Sequence, residues 1–328
     1  MKMDEFDRIK KYFKPLASLE RGSLNLSDDA AMLPVQDFSE LIISTDALVQ
    51  GIHFIGDESA DLIGQKCLRT NLSDMAAMGA TPWTYTLSLI LGPTLKNSPE
   101  IWLKSFVAGL AKDQETYDVR LVGGDSVVGP GPTVISITIL GKTNKNGVLR
   151  RDGACNNDDI YVSGTVGDSA VGLQIIKGHI KCLNKVDQVY LTDRYRVPQP
   201  RVQLGAALVG VASAAMDVSD GLVQDIGHIC SESGLAARIN WPSIPLSKSI
   251  KLLVENQKIP ISLVMNGGDD YELLFTAPIK LRDSVEKISR DTKTLITRIG
   301  CMAAGSNVLV LDNDERPITS MGTGFRHA

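Results

Sequence analysis

Six short segments of this chain set acidic side chains beside small residues. They are Ser27-Asp28-Asp29-Ala30-Ala31, Ser44-Thr45-Asp46-Ala47, Asn71-Leu72-Ser73-Asp74, Gly123-Gly124-Asp125-Ser126, Asp217-Val218-Ser219-Asp220-Gly221 and Gly267-Gly268-Asp269-Asp270-Tyr271-Glu272. Several follow apolar runs such as Leu41-Ile42-Ile43 and Leu121-Val122. A carboxylate there is costly unless it is paired or holds a metal ion. The fold is therefore expected to bring these acids together. Gathered, they form an oxygen cage for hard cations, which bridge to phosphate without a basic cradle.

The chain has 328 residues, enough for about two domains. Its net charge is −4, from 34 basic and 38 acidic residues. That balance argues against a general nucleic-acid or membrane-surface binder, so neither is expected as a partner. An anionic ligand would need cations to enter. Five cysteines (Cys67, Cys155, Cys182, Cys230 and Cys301) show no C-x-x-C spacing, which argues against a disulfide framework or a zinc site. The polar start Met1 to Phe6 has no apolar signal core, and no apolar run reaches the ~18 residues that span a bilayer. A cytoplasmic protein is expected.

Apolar periodicity predicts an amphipathic helix over 4–14, a strand over 41–45 ending at Asp46, a helix over 59–79 and a strand from Trp83 to Leu91. Ser98 and Pro99 open another helix, as N-cap and first-turn residue. Strands follow at Val119 to Val122 and Val134 to Leu140, giving an α+β first half with mainly antiparallel strands. Asn144 to Asn157 reads as a junction, placing the domains at 1–150 and 151–328. In the second half, strands are expected at Ile160 to Ser163, Ala215 to Asp217, Tyr271 to Thr276 and Val308 to Leu311, with a helix from Gly221 to Ser231.

Each acidic segment also has a plainer reading. Asp28-Asp29 can be a surface turn, Asp46 a β-turn residue, and Gly123-Gly124-Asp125 a simple turn. Ser219 or Asp220 can be a helix N-cap, the alternative being phosphate at that helix N-terminus. Asp74 is the most pointed, because it lies inside an apolar helix where Asp is a poor residue. Asn71, three residues earlier, shares its side. His53, in a loop near Asp46, favours a ligand contact. No Walker A loop, kinase H-R-D or D-F-G set, or G-x-S-x-G elbow is present.

Taken in order, the segments SDDAA (27–31), ISTDALVQGIHF (43–54), NLSDMAAMGATP (71–82), GGDS (123–126), YVSGTVGDSAVGL (161–173), PRVQLGAAL (200–208), DVSDGLVQDIGHI (217–229), IPLS (244–247) and GGDDYELLFT (267–276) resemble the thiamine-monophosphate kinase family over nearly the whole chain. The resemblance implies ATP-dependent, magnesium-dependent phosphorylation of thiamine monophosphate to thiamine diphosphate. It also implies a two-domain α+β fold like that of aminoimidazole ribonucleotide synthetase. In that fold an N-terminal domain dimerises through its sheet, an α/β C-terminal domain follows, and the substrates meet in the cleft between them.

Carried over position by position, the resemblance makes Asp29, Asp46, Asp74, Asp125, Asp217 and Asp220 ligands of several magnesium ions, with Ser44 and Thr45 assisting. Gly124, Asp125, Arg151 and Ser219 match nucleotide-contacting positions, and His53, Asp269 and Phe325 match substrate contacts. Asp74, Asp125 and Arg151 are the expected catalytic residues. The chain departs from the family pattern at Ser27, at Cys155 to Asp159 and at Val107. Among relatives of the same fold, aminoimidazole ribonucleotide synthetase stays open on fold alone, but DVSDGL with GGDDYEL favours the thiamine reading; two others are disfavoured. A hydrogenase-maturation type would need a C-terminal cysteine, and a selenophosphate synthetase a reactive Cys or Sec in an N-terminal glycine-rich loop. A non-catalytic nucleotide sensor is the rival from another class.

Overall fold

In the computed structural model the described residues are 9–20, 40–93, 98–143, 147–181 and 184–318. Asp29, Phe325 and Ser27 lie outside them. The chain divides into two compact units, Met1–Met75 with Thr81–Lys145, and Ala76–Ala80 with Asn146–Ala328.

In the first unit a π-helical turn, Ile9–Phe13, runs into α1 (Lys14–Ala17); of the helix expected over 4–14, residues 4–8 lie outside the described residues. Then come β1 (Leu41–Val49), α2 (Ala60–Ala77), β2 (Thr81–Leu91), α3 (Pro99–Tyr117), β3 (Arg120–Val128) and β4 (Val134–Lys142). The last residues of α2 fall in the second unit. Ser98 caps α3, its Oγ accepting from Ile101 N at 3.4 Å, with Pro99 in the first turn.

The four strands form one sheet in the order β1-β4-β2-β3. β1 and β2 run antiparallel to β4, and β3 runs parallel to β2. β4 alternates strictly, with Ile135, Ile137 and Ile139 buried and their neighbours half-exposed. That period-2 pattern marks a sheet with one covered face. Tyr85 OH donates to Gln114 Oε1 at 3.2 Å and Ser44 Oγ to Asp74 Oδ2 at 2.5 Å, which puts α3 and α2 on that face. Arg69 clamps the two helices through a bidentate pair with buried Asp113, at 2.7 and 2.8 Å. The opposite face carries Leu41, Ile43, Ile90 and Val127 exposed.

Two expectations change here. Asp46 sits inside β1, not at its end, and Gly123-Gly124-Asp125 lies inside β3 rather than in a loop after it. A bulge at Val122, where the β2–β3 register shifts, carries the strand through its two glycines.

The second unit holds β5 (Asp159–Ser163), α4 (Asp168–Ile176), α5 (Lys185–Arg196), α6 (Val202–Leu208), β6 (Ala214–Asp217), α7 (Leu222–Ser233), β7 (Ala236–Asn240), α8 (Lys248–Glu255), α9 (Ile261–Asn266), β8 (Leu273–Ala277), α10 (Arg282–Asp291), β9 (Ile296–Ala303) and β10 (Val308–Leu311). Its six strands order as β10-β7-β9-β5-β8-β6. Only β10–β7 is parallel; the other pairs are antiparallel. Alternate residues feed opposite cores: Ile160, Val162, Met216 and Leu274 join one, Tyr161, Ala215, Leu273 and Phe275 the other. Both faces are covered, which is why these strands read as unbroken apolar runs. β8 begins at Leu273, not at Tyr271 as its apolar run suggested. Leu273 pairs with Asp217, so the loop leaving β6 and the loop entering β8 lie side by side. Among the described residues, no helix is long and apolar enough to cross a membrane.

Candidate active site

In the first unit, β1 and α2 build an oxygen-rich cluster. Ser44 and Asp46 are two apart on β1 and share the helix-covered face. Asp46 lies in register with Ile137, itself paired with Leu87, both buried. Ser44 Oγ donates to Asp74 Oδ2 at 2.5 Å, and Asp46 N donates to Asn71 Oδ1 at 3.2 Å. Asn71 is fully buried and fixed by Nδ2 donating to Cys67 O at 3.0 Å. One turn of α2 thus presents Asn71 and Asp74 to one stretch of β1. The donors are oxygens, as a magnesium ion requires. Asn71 was grouped with Asp74 by spacing but not counted as a site residue; its burial, visible only in three dimensions, reveals its part.

Thr45 and Asp125 are not brought into this cluster. Thr45 points to the open face, its hydroxyl 2.9 Å from that of Thr138. Asp125 pairs with Ser88, Ser88 with Ser136, and Ser136 with Ala47. That row also belongs to the open face. Asp125 is therefore three strand spacings from β1, roughly 14 Å, and on the other side of the sheet from Asp46. Its Oδ1 accepts from Ser126 N at 2.7 Å. Gly124 beside it has φ +152°, and a Cβ there would lie 1.9 Å from Leu87 O. His53 is half-buried, with Nδ1 accepting from Val49 N at 3.0 Å. That bond fixes the ring in the turn after β1. Val107 is half-buried on α3.

In the second unit, the two neighbouring loops are joined through their backbones. Asp269 N donates to Ser219 O, Tyr271 N to Val218 O and Val218 N to Glu272 O, each at 2.8 Å. Asp217, Ser219, Asp220 and Asp269 therefore share one end of the sheet. Asp269 and Tyr271 hold left-handed backbones, φ 62° and 51°, which are uncommon for side chains other than glycine. Tyr271 OH donates to Asp269 Oδ1 at 3.1 Å. Gly268 is required, since a Cβ would lie 2.5 Å from Ser219 O.

Neither Ser219 nor Asp220 caps α7. Gly221 stands at the N-cap, and Asp225, one turn into the helix, reaches back: its Oδ2 accepts from Asp220 N at 3.2 Å and Gly221 N at 3.1 Å. Burial, reinforced by the charges of Asp217 and Asp220, pushes the Asp225 carboxyl up to about 8.

Two further acids hold the β8 loop from below. Asp270 accepts from Gly167 N at 2.7 Å and Ser169 N at 3.3 Å, at the start of α4. Burial pushes its carboxyl up to about 8. Glu272 is fully buried. It accepts from Ser163 Oγ at 2.5 Å, from Arg194 at 2.8 Å and from Arg201 twice at 2.6 Å. The adjacency of Glu272 to the acidic loop, and an arginine in Pro200-Arg201-Val202, were the available signals for this support. Arg151 is exposed, and its carbonyl accepts from Ser233 Oγ at 3.0 Å.

The family model for AIR synthase related protein, N-terminal domain, matches residues 27–143. The thiamine-monophosphate kinase of Escherichia coli K12 is 38% identical over 328 residues, covering 100% of this chain and 99% of that protein. The chain belongs to the thiamine-monophosphate kinase family. Two solved structures agree. The thiamine-monophosphate kinase of Stenotrophomonas maltophilia K279a superposes with a TM-score of 0.83 at 37% identity, covering 93% of this chain and 96% of that one. AaThiL complexed with AMPPCP and TMP gives 0.77 at 30% identity, covering 95% of each. The chain thus has the AIR synthase-like α+β fold of the thiamine-monophosphate kinase family.

Proposed function

We propose that this chain transfers the γ-phosphoryl group of ATP to thiamine monophosphate, giving thiamine diphosphate by direct in-line, magnesium-dependent transfer. The observation that carries the reading is the all-oxygen cluster of Ser44, Asp46, Asn71 and Asp74, set in a chain of this family. The complex of AaThiL with AMPPCP and TMP supports ATP and thiamine monophosphate as the substrates.

The acceptor is itself a phosphate, ionised at neutral pH, so the chain need supply no general base. What it must overcome is repulsion between two anions. Bound magnesium would neutralise charge on the phosphates as it develops. Ser44, Asp46 and Asp74 would hold one part of that metal set, joined by Asp29. Asp217 and Asp220 would hold another. Arg151, with Gly124, Asp125 and Ser219, would contact the nucleotide, its planar fork matching a phosphoryl group. His53, Asp269 and Phe325 would position thiamine monophosphate.

Asp125 and Thr45 belong to the open face of the first sheet. That face exposes Leu41, Ile43, Ile90 and Val127, an apolar patch that fits a second copy of the chain. In a homodimer formed there, Asp125 would serve its ion beside groups of the second copy rather than beside Asp74 of its own chain. Thr45 would contribute from the same side. We place the enzyme in the cytoplasm, without nucleic-acid or membrane partners.

The decisive assay mixes the protein with ATP, magnesium and thiamine monophosphate. Thiamine diphosphate is expected, and none should form when magnesium is chelated. ATP binding without turnover would overturn the proposal in favour of a sensor.

A further inference from the structure

Helix α7 carries two side chains that the magnesium reading leaves unused. Asp225 and His228 are three residues apart and share a helix face. With Asp220, just ahead of the helix, they set three potential ligand atoms within 4.8 Å of one another. Asp225 is 1% exposed. Its Oδ2 is engaged by the backbone at Asp220 and Gly221. Its other oxygen, Oδ1, is buried and has no hydrogen-bond partner. A buried polar atom left without a partner is costly, and a cation there would remove that cost. His228 is exposed, so its ring can rotate toward the carboxylates. Gln224 Nε2 donates to Asp220 Oδ2 at 2.9 Å, so an ion would use the remaining Asp220 oxygen.

We propose that Asp220, Asp225 and His228 bind one transition-metal dication of the zinc and cobalt class. The donor set decides the class. Magnesium takes oxygen ligands, whereas an imidazole suits zinc, copper, iron and nickel. Two carboxylates and one imidazole leave a fourth position open, as in zinc sites that bind water or a ligand oxygen. Around a tetrahedral ion, donors at ~2.1 Å lie roughly 3.4 Å apart. Rotation of the exposed His228 ring supplies the closure needed. The site shares Asp220 with the proposed magnesium set. Its effect on turnover, competition between zinc and magnesium for Asp220, therefore rests on that reading, whereas the binding itself does not.

The test is a cobalt titration of the metal-stripped, full-length protein without nucleotide, followed by visible absorption. A first, tightest equivalent of cobalt is expected, with a ligand-field band, and zinc should displace it. His228→Ala and His228→Gln should each weaken cobalt binding at least tenfold, and circular dichroism checks that both fold. Asp46→Asn, which lies in the other unit and tests the magnesium reading, should leave the binding of that first equivalent unchanged. If His228→Ala binds cobalt as wild type does, or wild type binds none below 1 mM cobalt, the site is refuted. Loss of turnover in Asp46→Asn alongside either result would leave the kinase proposal standing and remove only this one.

Discussion

Ser44 on the edge strand β1 donates its hydroxyl hydrogen to Asp74 on α2 across 2.5 Å. The bond holds one carboxylate oxygen of Asp74 against the sheet and fixes the direction of the group. An acid buried at half depth in an apolar helix is thereby kept in one orientation, as a metal ligand must be.

Asp74→Asn should lower turnover on the order of a hundredfold at saturating magnesium, the size of loss seen when a charge-stabilising group is removed. Steady-state kinetics with varied magnesium would measure it. Turnover within tenfold of wild type would exclude Asp74 from the metal set.

Fully buried Glu272 joins buried Arg194 and partly exposed Arg201 in an ionic triad. Glu272→Gln leaves two guanidinium groups without their counter-charge, which should destabilise the protein by about 3–5 kcal/mol. Denaturant unfolding gives the number, and a loss under ~1 kcal/mol would mean the triad is not holding the β8 loop.

The raised Asp270 carboxyl makes stability depend on pH. Burial lifts it from the ordinary 3.8 to about 8 in the folded chain. Between those values the native state keeps a proton that the unfolded chain releases. The contribution of Asp270 is therefore complete below about pH 4 and is lost as pH rises toward 8. Relative to Asp270→Asn, wild type should lose up to ~1.4 kcal/mol per pH unit between pH 5 and 7. Parallel stability–pH lines for the two proteins would contradict the burial argument.

Adjacent glycines on β3 should respond differently to the same substitution. At Gly124 a new Cβ would strike Leu87 O at 1.9 Å with φ +152°, while at Gly123 the nearest atom is Thr86 Cγ2 at 3.7 Å. Gly124→Ala should cost about 1–3 kcal/mol through forced backbone displacement and weaken ATP binding. Gly123→Ala should melt close to wild type. Thermal melts and nucleotide titration compare them; equal effects would place the strain elsewhere.

Ile43 is 60% exposed on the open sheet face. Ile43→Lys should convert a dimer to monomers in sedimentation velocity. A wild-type protein that sediments as a monomer at micromolar concentration would remove the dimer proposal.

Much of the fold was readable from local pattern. The Ile135-Ile137-Ile139 alternation of β4, the Ser98-Pro99 start of α3 and the Asp217 strand end all follow from short-range rules of side-chain period and capping. The boundaries that failed were those where a tertiary partner overrode the local signal. Gly123 and Gly124 read as a turn, yet the β2 ladder holds them in a strand. Ser219 and Asp220 read as caps, yet Gly221 takes that position and Asp225 reaches back to hold the backbone N–H groups ahead of it.

Residue order alone carried the family resemblance and the set of acids that flank its short apolar runs. Only the tertiary structure decided which acids face one another. A strand's side chains alternate between two faces, so Ser44 and Asp46 turn to α2 while Thr45 and Asp125 turn away. Hydrogen-bond register between distant strands, which no local window contains, sets that division.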